Sequence, residues 1–412
     1  MAWPTLRIIA FINGIFLLTL AISMAVPMLT LVLFARPDEL NAFLWSSLIT
    51  CMAGIAMIAQ GRPKDVQLRP RDMYLLTVSS WILVGLFAAL PFMFSQHLGV
   101  TDAVFESMSG ITATGATVLT GLDSMSPGIL IWRSLLHWLG GIGFIAMAVA
   151  ILPMLRIGGM RLFQTESSDR SEKIMPRSHM VAKYMIAAYL GISLIGCLAL
   201  WTAGMGVFDA INHTMSAIAT GGYSTSDLSL AKWQQPAVHW VAVVVMILGS
   251  LPFVLYVSTL RGNFGALARD QQVRGFLGIL LTCWVLLGTW YCLTTELHWL
   301  EAVRHVAVNT TSVMTTTGFA LGDYSLWGGF AGMLFFYLGF VGGCSGSTAG
   351  GLKIFRFQVA YILLKASLLQ LVHPRAVIKQ SYNGHRLDED IVRSILTFSF
   401  FFTFTIAALA LG

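Results

Sequence analysis

The chain has 412 residues, of which 56% are hydrophobic and only 11% charged. Soluble globular chains carry roughly a quarter charged residues, so this one lacks the polar surface that water would demand, and the bilayer is the expected solvent. A net charge of +6 would raise nucleic acid as a partner for a soluble chain. Here the basic residues sort by loop, membrane topology accounts for the balance, and no nucleic acid is expected.

The N-terminus carries one Arg and then apolar sequence from Ile8 to Ala35, too long for a secretory signal core, so it reads as a retained spanning helix. Apolar runs of spanning length follow at about 42–60, 73–95, 128–155, 180–206, 237–260, 275–295, 328–372 and 391–411. Arg62, Lys64, Arg69 and Arg71 sit in one loop; Arg156, Arg161, Arg170, Lys173, Arg177 and Lys183 surround another; Arg261, Arg269 and Arg274 fill a third; and Lys353 through Arg393 supply seven more. The alternating loops carry only Arg36, Arg133, Lys232 and Arg304. The positive-inside rule puts the N-terminus and the basic loops in the cytoplasm. The base-poor side holds Asp102, Glu106, Asp123, Asp209, Asp227, Glu296, Glu301 and Asp323, the asymmetry of an acidic outer vestibule that concentrates cations.

Three outer loops share one pattern, Asp102 to Gly115, Asp209 to Gly222 and His305 to Gly318, with Ser109, Ser216 and Ser312 at one offset from the closing glycine. The glycines lie 107 and 96 positions apart, room for one helix–loop–helix unit each. An amphipathic stretch of about 11 residues is too short to cross a bilayer. It can dip in and return, with its carbonyl end, which is partially negative, aimed at a cation. The Thr–Gly backbone that follows can present carbonyl oxygens in place of a cation's hydration shell. A fourth feature lies inside the run 328–372. Gly342, Gly343, Cys344, Ser345, Gly346, Ser347, Thr348, Ala349, Gly350 and Gly351 include five glycines, each disfavouring helix by about 1 kcal/mol against Ala, so the run unwinds at membrane depth. A Walker phosphate loop is excluded, because Gly350-Gly351 leads to Leu352-Lys353-Ile354.

Enzyme chemistry finds no support. The five cysteines, Cys51, Cys197, Cys283, Cys292 and Cys344, form no CxxC pair, which argues against a disulfide framework or zinc site. The nine histidines show no metal spacing; His137 and His239 read as packed side chains. Glu106 and Arg133 can pair, without an acid–base arrangement. WLGGIGF at 138–144 reads as a close helix-packing stripe.

The stretches AVFESMSGITATGATVLTGLDS at 103–124, DAINHTMSAIATGGYST at 209–225, MTTTGFA at 314–320 and GGCSGSTAGGLK at 342–353 resemble the TrkH/KtrB superfamily of potassium transporters, from about residue 5 to the end of the chain. The resemblance implies an all-α integral membrane protein: two leading helices, then repeated helix–pore loop–helix units around a pseudo-fourfold pore. The divisions are 1–70 for the leading helices, 71–160, 161–262 and 263–375 for three pore repeats, the third with a broken second helix, and 376–412 for the start of a fourth. No fourth Thr–Gly filter occurs before Gly412, so a fragment that does not conduct alone is one reading. Carried residue by residue, the family's potassium filter falls on Ala113, Thr114 and Gly115, on Thr220, Gly221 and Gly222, and on Thr316, Thr317 and Gly318; Ala113 stands where Thr is common. The Gly-rich segment corresponds to its intramembrane gate loop. The implied function is potassium uptake across a bacterial cell inner membrane, with potassium as the transported ligand and no cofactor in this chain. The implied assembly is a homodimer in the lipid bilayer with a cytoplasmic nucleotide-binding regulatory subunit like TrkA. Sodium permeation and cation-coupled secondary transport stand as alternatives, since carbonyl rings pass both ions.

Overall fold

The computed structural model describes residues 3–61, 69–155, 174–376 and 378–411. The basic residues Arg62, Lys64, Arg156, Arg161, Arg170 and Lys173 lie outside the described residues. In chain order the helices are α1 (Trp3–Ser23), α2 (Ala25–Leu33), α3 (Leu40–Ala59), α4 (Pro70–Ala88), α5 (Leu90–Ser95), α6 (Val100–Ile111), α7 (Pro127–Leu155), α8 (Ile174–Thr202) and α9 (Val207–Ile218). They continue as α10 (Pro236–Ser250), α11 (Phe253–Leu260), α12 (Ala266–Arg269), α13 (Gln271–Thr294), α14 (Trp299–Met314), α15 (Gly329–Val341), α16 (Ile354–Val372) and α17 (Glu389–Leu411). Between the last two, β1 (Ser381–Tyr382) and β2 (His385–Arg386) pair antiparallel.

Among the described residues, seven stretches are long and apolar enough to cross a membrane, or up to eight if the bent pair α10–α11 is one span. Large apolar side chains such as Ile22, Leu286 and Phe400 stand exposed along them, as lipid-facing residues must in a chain whose backbone bonds are satisfied within helices. The chain is thus a multi-pass helical membrane protein, as its composition requires.

Proline shapes the breaks. The apolar run 237–260 is not one straight span: α10 and α11 meet at 93°, with Pro252 between them. Proline has no N–H for the helical ladder and its ring clashes with the preceding turn. Pro27 interrupts the first run more gently at Met24, whose backbone stays helical. The run 328–372 breaks where its glycines predict, α15 ending at Val341 and α16 starting at Ile354.

The chain divides into two compact units. The first comprises Met1–Gly143, Gly196–Val238 and Thr317–Phe319; its core gathers Leu17, Leu31, Phe43, Phe92, Trp132 and Leu136. The second comprises Phe144–Ile195, His239–Thr316 and Ala320–Gly412. One of its clusters joins Leu251, Leu280, Met314, Cys344 and Ile354; another joins Phe355, Val359, Tyr382 and Ile391.

Candidate functional site

Each expected pore loop contains a short helix that stops before a Thr–Gly segment: α6, α9 and α14, of 12, 12 and 16 residues. Asp102, Asp209 and Glu301 occupy their first turns, where the helix dipole favours negative charge. The carbonyl ends lead into the candidate filter.

Those ends share one backbone device. Ala113, Thr220 and Thr316 are left-handed, with φ of 52°, 54° and 57°, and Gly115, Gly222 and Gly318 are left-handed again, at 80°, 83° and 92°. In the first segment the Thr114 N–H donates to Ser109 O at 2.9 Å and the Ala113 N–H to Gly110 O at 3.0 Å. In the second, Gly221 N–H donates to Ser216 O at 2.9 Å and Thr220 N–H to Ala217 O at 3.0 Å. This is the Schellman closure, which satisfies orphan carbonyls at a helix end and usually takes glycine at the left-handed position. Here that position holds Ala or Thr, at a cost of roughly 1–2 kcal/mol each.

The segments converge within the first unit. A Cβ added at Gly115 would lie 1.8 Å from the Gly221 carbonyl oxygen and 3.7 Å from that of Thr317; one added at Gly222 would lie 2.0 Å from Thr317 O. Carbonyl oxygens from the second and third segments thus crowd a space that no side chain can enter. On the other side of the second segment, a Cβ at Gly221 would meet the His137 ring at 2.3 Å. His137 is fully buried, stacks on Tyr223 at 4.1 Å between centroids and pairs through Nδ1 with Ser216 Oγ at 3.0 Å. It is a packed support, as its apolar setting predicts. Gly140 behaves as the small-residue stripe predicts, since a Cβ there would lie 1.9 Å from Ile111 O.

Nine residues before each closing glycine stand Glu106, His213 and Asn309, and each grips the stretch of chain that leaves the segment. Glu106 accepts from Thr117 Oγ1 at 2.9 Å and from the Val118 N–H at 3.1 Å. His213 Nε2 pairs with Ser224 Oγ at 2.9 Å. The Asn309 amide donates to Leu321 O at 3.0 Å and accepts from Leu321 N–H at 2.9 Å. Sequence reading missed this shared position, although the offset that exposed the three serines would have exposed it too. Glu106 is fully buried and ion-paired to Arg133 at 2.7 Å; Arg133 also donates to Thr117 Oγ1 and caps the Tyr223 ring at 3.9 Å.

This removes Glu106 from the acidic outer face, where Asp102, Asp227, Glu296 and Asp323 remain exposed. Glu106 faces no solvent, Asp209 accepts from Thr225 Oγ1 at 2.6 Å, and Glu301 pairs with Arg304 at 3.0 Å. Asp123 pairs with Lys232 at 2.9 Å, and the Lys232 hydrogen bond holds its carboxyl below the usual carboxylate range.

The Gly-rich segment lies in the second unit and is tied to both halves of the bend at Pro252. Its Cys344 and Thr348 N–H groups donate to Ser250 O at 3.0 Å and Gly249 O at 3.3 Å, and its Gly346 carbonyl accepts from Phe253 N–H at 3.0 Å. Gly350 N–H donates to Thr316 Oγ1 at 2.6 Å, so a candidate filter residue touches the loop directly. Gly342 and Gly351 are left-handed and mutually close: a Cβ on Gly351 would lie 2.7 Å from Gly342 Cα.

Comparison with known proteins gives concordant results. The family model for TrkH, described as a cation transport protein, matches residues 40–412. The Trk system potassium uptake protein TrkI of Halomonas elongata is 45% identical over 411 residues, covering 99% of this chain and 82% of that protein. The Trk system potassium uptake protein TrkH of Escherichia coli (strain K12) is 34% identical, covering 95% and 82%. Among solved structures, the crystal structure of the potassium transporter TrkH from Vibrio parahaemolyticus superposes with a TM-score of 0.89 at 31% identity, covering 98% of this chain and 85% of that one.

Proposed function

Because the chain belongs to the TrkH family of cation transport proteins, we propose that it carries potassium across a bacterial inner membrane through a filter of backbone carbonyls gated by its Gly-rich loop. The relatives named above are ion transporters, not enzymes. The filter is assigned to Ala113–Gly115, Thr220–Gly222 and Thr316–Gly318. The observation that carries it is that Gly221 O and Thr317 O occupy the space where side chains on Gly115 and Gly222 would begin, because converging carbonyl dipoles favour a dehydrated cation. The division into repeats at 71–160, 161–262 and 263–375 belongs to the same reading. So do a cytoplasmic N-terminus, a homodimer and a nucleotide-binding regulatory subunit like TrkA, the last supported by the relatives' Trk system names.

The gate is assigned to Gly342–Gly351. A non-helical segment at membrane depth must face protein or a water-filled cavity, and this one hydrogen-bonds to Thr316 of the filter. Deleting residues 345–350 raises potassium flux in liposomes while potassium-over-sodium preference is kept. A folded deletion protein that conducts no faster than wild type refutes the gate.

A further inference from the structure

Three consecutive residues at the start of α13 face two different partners. Asp270 caps the helix, its Oδ1 accepting from Val273 N–H at 3.0 Å, while its Oδ2 accepts from Asn383 Nδ2 at 2.7 Å. Gln271 N–H donates to Asn383 Oδ1 at 2.9 Å, and Gln271 Oε1 accepts from Asn383 N–H at 3.0 Å. Asn383 and Gly384 are the left-handed pair, φ 46° and 79°, that turns β1 into β2, the Asn-Gly signature of a tight hairpin. The next residue, Gln272, is fully buried, and its Oε1 accepts from Ser345 N–H at 2.5 Å, inside the Gly-rich loop. Its Nε2 has no partner among the described residues, so that one bond is its whole polar connection.

The hairpin is braced to the same helix start from a second side. Tyr382 is buried, donates to Gln358 Oε1 at 2.6 Å and packs edge-on to Phe355. Gln358 Nε2 donates to Gln271 O at 2.8 Å and lies so close to Gly275 that a Cβ there would reach within 2.0 Å of it. Hairpin, helix start and loop are therefore linked by short polar contacts with little slack.

We infer that Asn383 and Gln272 are positioning residues for the Gly-rich loop: the Tyr382–His385 turn is a handle whose displacement passes through the first turn of α13 to Ser345. The consequence for ion flux rests on the loop being the gate; the mechanical link does not. Cys344 neighbours Ser345 and is buried, which makes it a native reporter of loop release.

The experiment uses the protein with Cys51, Cys197, Cys283 and Cys292 replaced by Ala, reconstituted in liposomes, and follows Cys344 modification by a methanethiosulfonate reagent alongside potassium flux. Asn383→Gly keeps the left-handed turn, which glycine adopts freely, and removes only the side-chain bonds. It accelerates Cys344 modification about tenfold, the scale of two ordinary hydrogen bonds. Gln272→Leu accelerates it at least as much, and Gln272→Glu, which keeps an acceptor for Ser345, returns it to within about threefold of wild type. The double variant Asn383→Gly/Gln272→Leu reacts no faster than Gln272→Leu alone, because both act through one link. An undiminished Asn383 effect in the Gln272→Leu background overturns the proposal, as does a wild-type rate in either single variant. Faster Cys344 modification with unchanged flux upholds the link and sinks the gate instead.

Discussion

Replacing Gly222 by Ala tests the proposed carbonyl filter most sharply. The new Cβ would fall 2.0 Å from Thr317 O, where real Cβ atoms essentially never come within 3.0 Å. One partner must therefore retreat by about 1 Å, and both are backbone, so no flexible side chain can absorb the change. A displaced ligand oxygen forfeits roughly what a hydrogen bond to a charged group contributes, about 1.5–3 kcal/mol, or roughly ten- to hundredfold in uptake. Gly115→Ala meets the same obstacle, at 1.8 Å from Gly221 O. Gly318→Ala is the internal control: nothing lies within 4 Å of its Cβ, and only the φ of 92° opposes it, a strain of about 1–2 kcal/mol. With strain but no clash against another segment's carbonyl, Gly318→Ala loses less ion preference than Gly222→Ala. The assay is potassium uptake at matched membrane levels in cells lacking other uptake systems, with potassium-over-sodium flux in liposomes. Wild-type preference in Gly222→Ala, or a greater loss in Gly318→Ala, refutes the reasoning.

Arg133→Met strands the buried Glu106 carboxylate and lowers stability by about 3–5 kcal/mol, read as thermal unfolding in detergent; Glu106→Gln costs less, since its amide oxygen still accepts from Val118 N–H. Asn309→Ala removes both bonds to Leu321 and costs about 2–3 kcal/mol, seen in the same melt. At the outer strap, the depressed Asp123 carboxyl stabilises above the ordinary carboxylate pKa, and that contribution fades as pH falls through its lowered value. Lys232→Met therefore narrows the gap in melting temperature between about pH 7 and about pH 3, by a small amount, because the pair is largely exposed.

Much of the architecture was legible in the residues because two physical signals are strong. Hydropathy marks the spans, and three matched offsets mark the short helices. The break at 342–351 was legible because five glycines weaken a helix whatever surrounds them. The bend at Pro252 was not, since an apolar run looks continuous to hydropathy and Pro kinks of many sizes occur in membrane helices. The left-handed Ala113, Thr220 and Thr316 were also hidden, because local propensity favours glycine there and only the surrounding contacts hold a residue with a Cβ in that conformation. Glu106 stood among the outer charges because, although its pairing with Arg133 was legible, nothing in the sequence shows that the chain at Thr117 and Val118 folds back onto it.

The two irregular features of the second unit, the proline bend and the Gly-rich loop, solve each other's hydrogen-bonding problem. Ending α10 at Ser250 leaves its last carbonyls without helical partners, and starting α11 at Phe253 leaves its first amides likewise bare. In a lipid environment each such group costs free energy unless protein or water satisfies it. The loop supplies Cys344 and Thr348 N–H groups to Ser250 and Gly249, and Gly346 O to Phe253, while the bend supplies the loop with partners that its own glycines cannot form. Either break alone would leave orphan backbone groups; together they close. It follows that the loop cannot shift alone. Withdrawing it bares groups on α10 and α11 as well as its own, and only water can replace those bonds, so loop displacement and hydration of the space beside Pro252 must occur as one event.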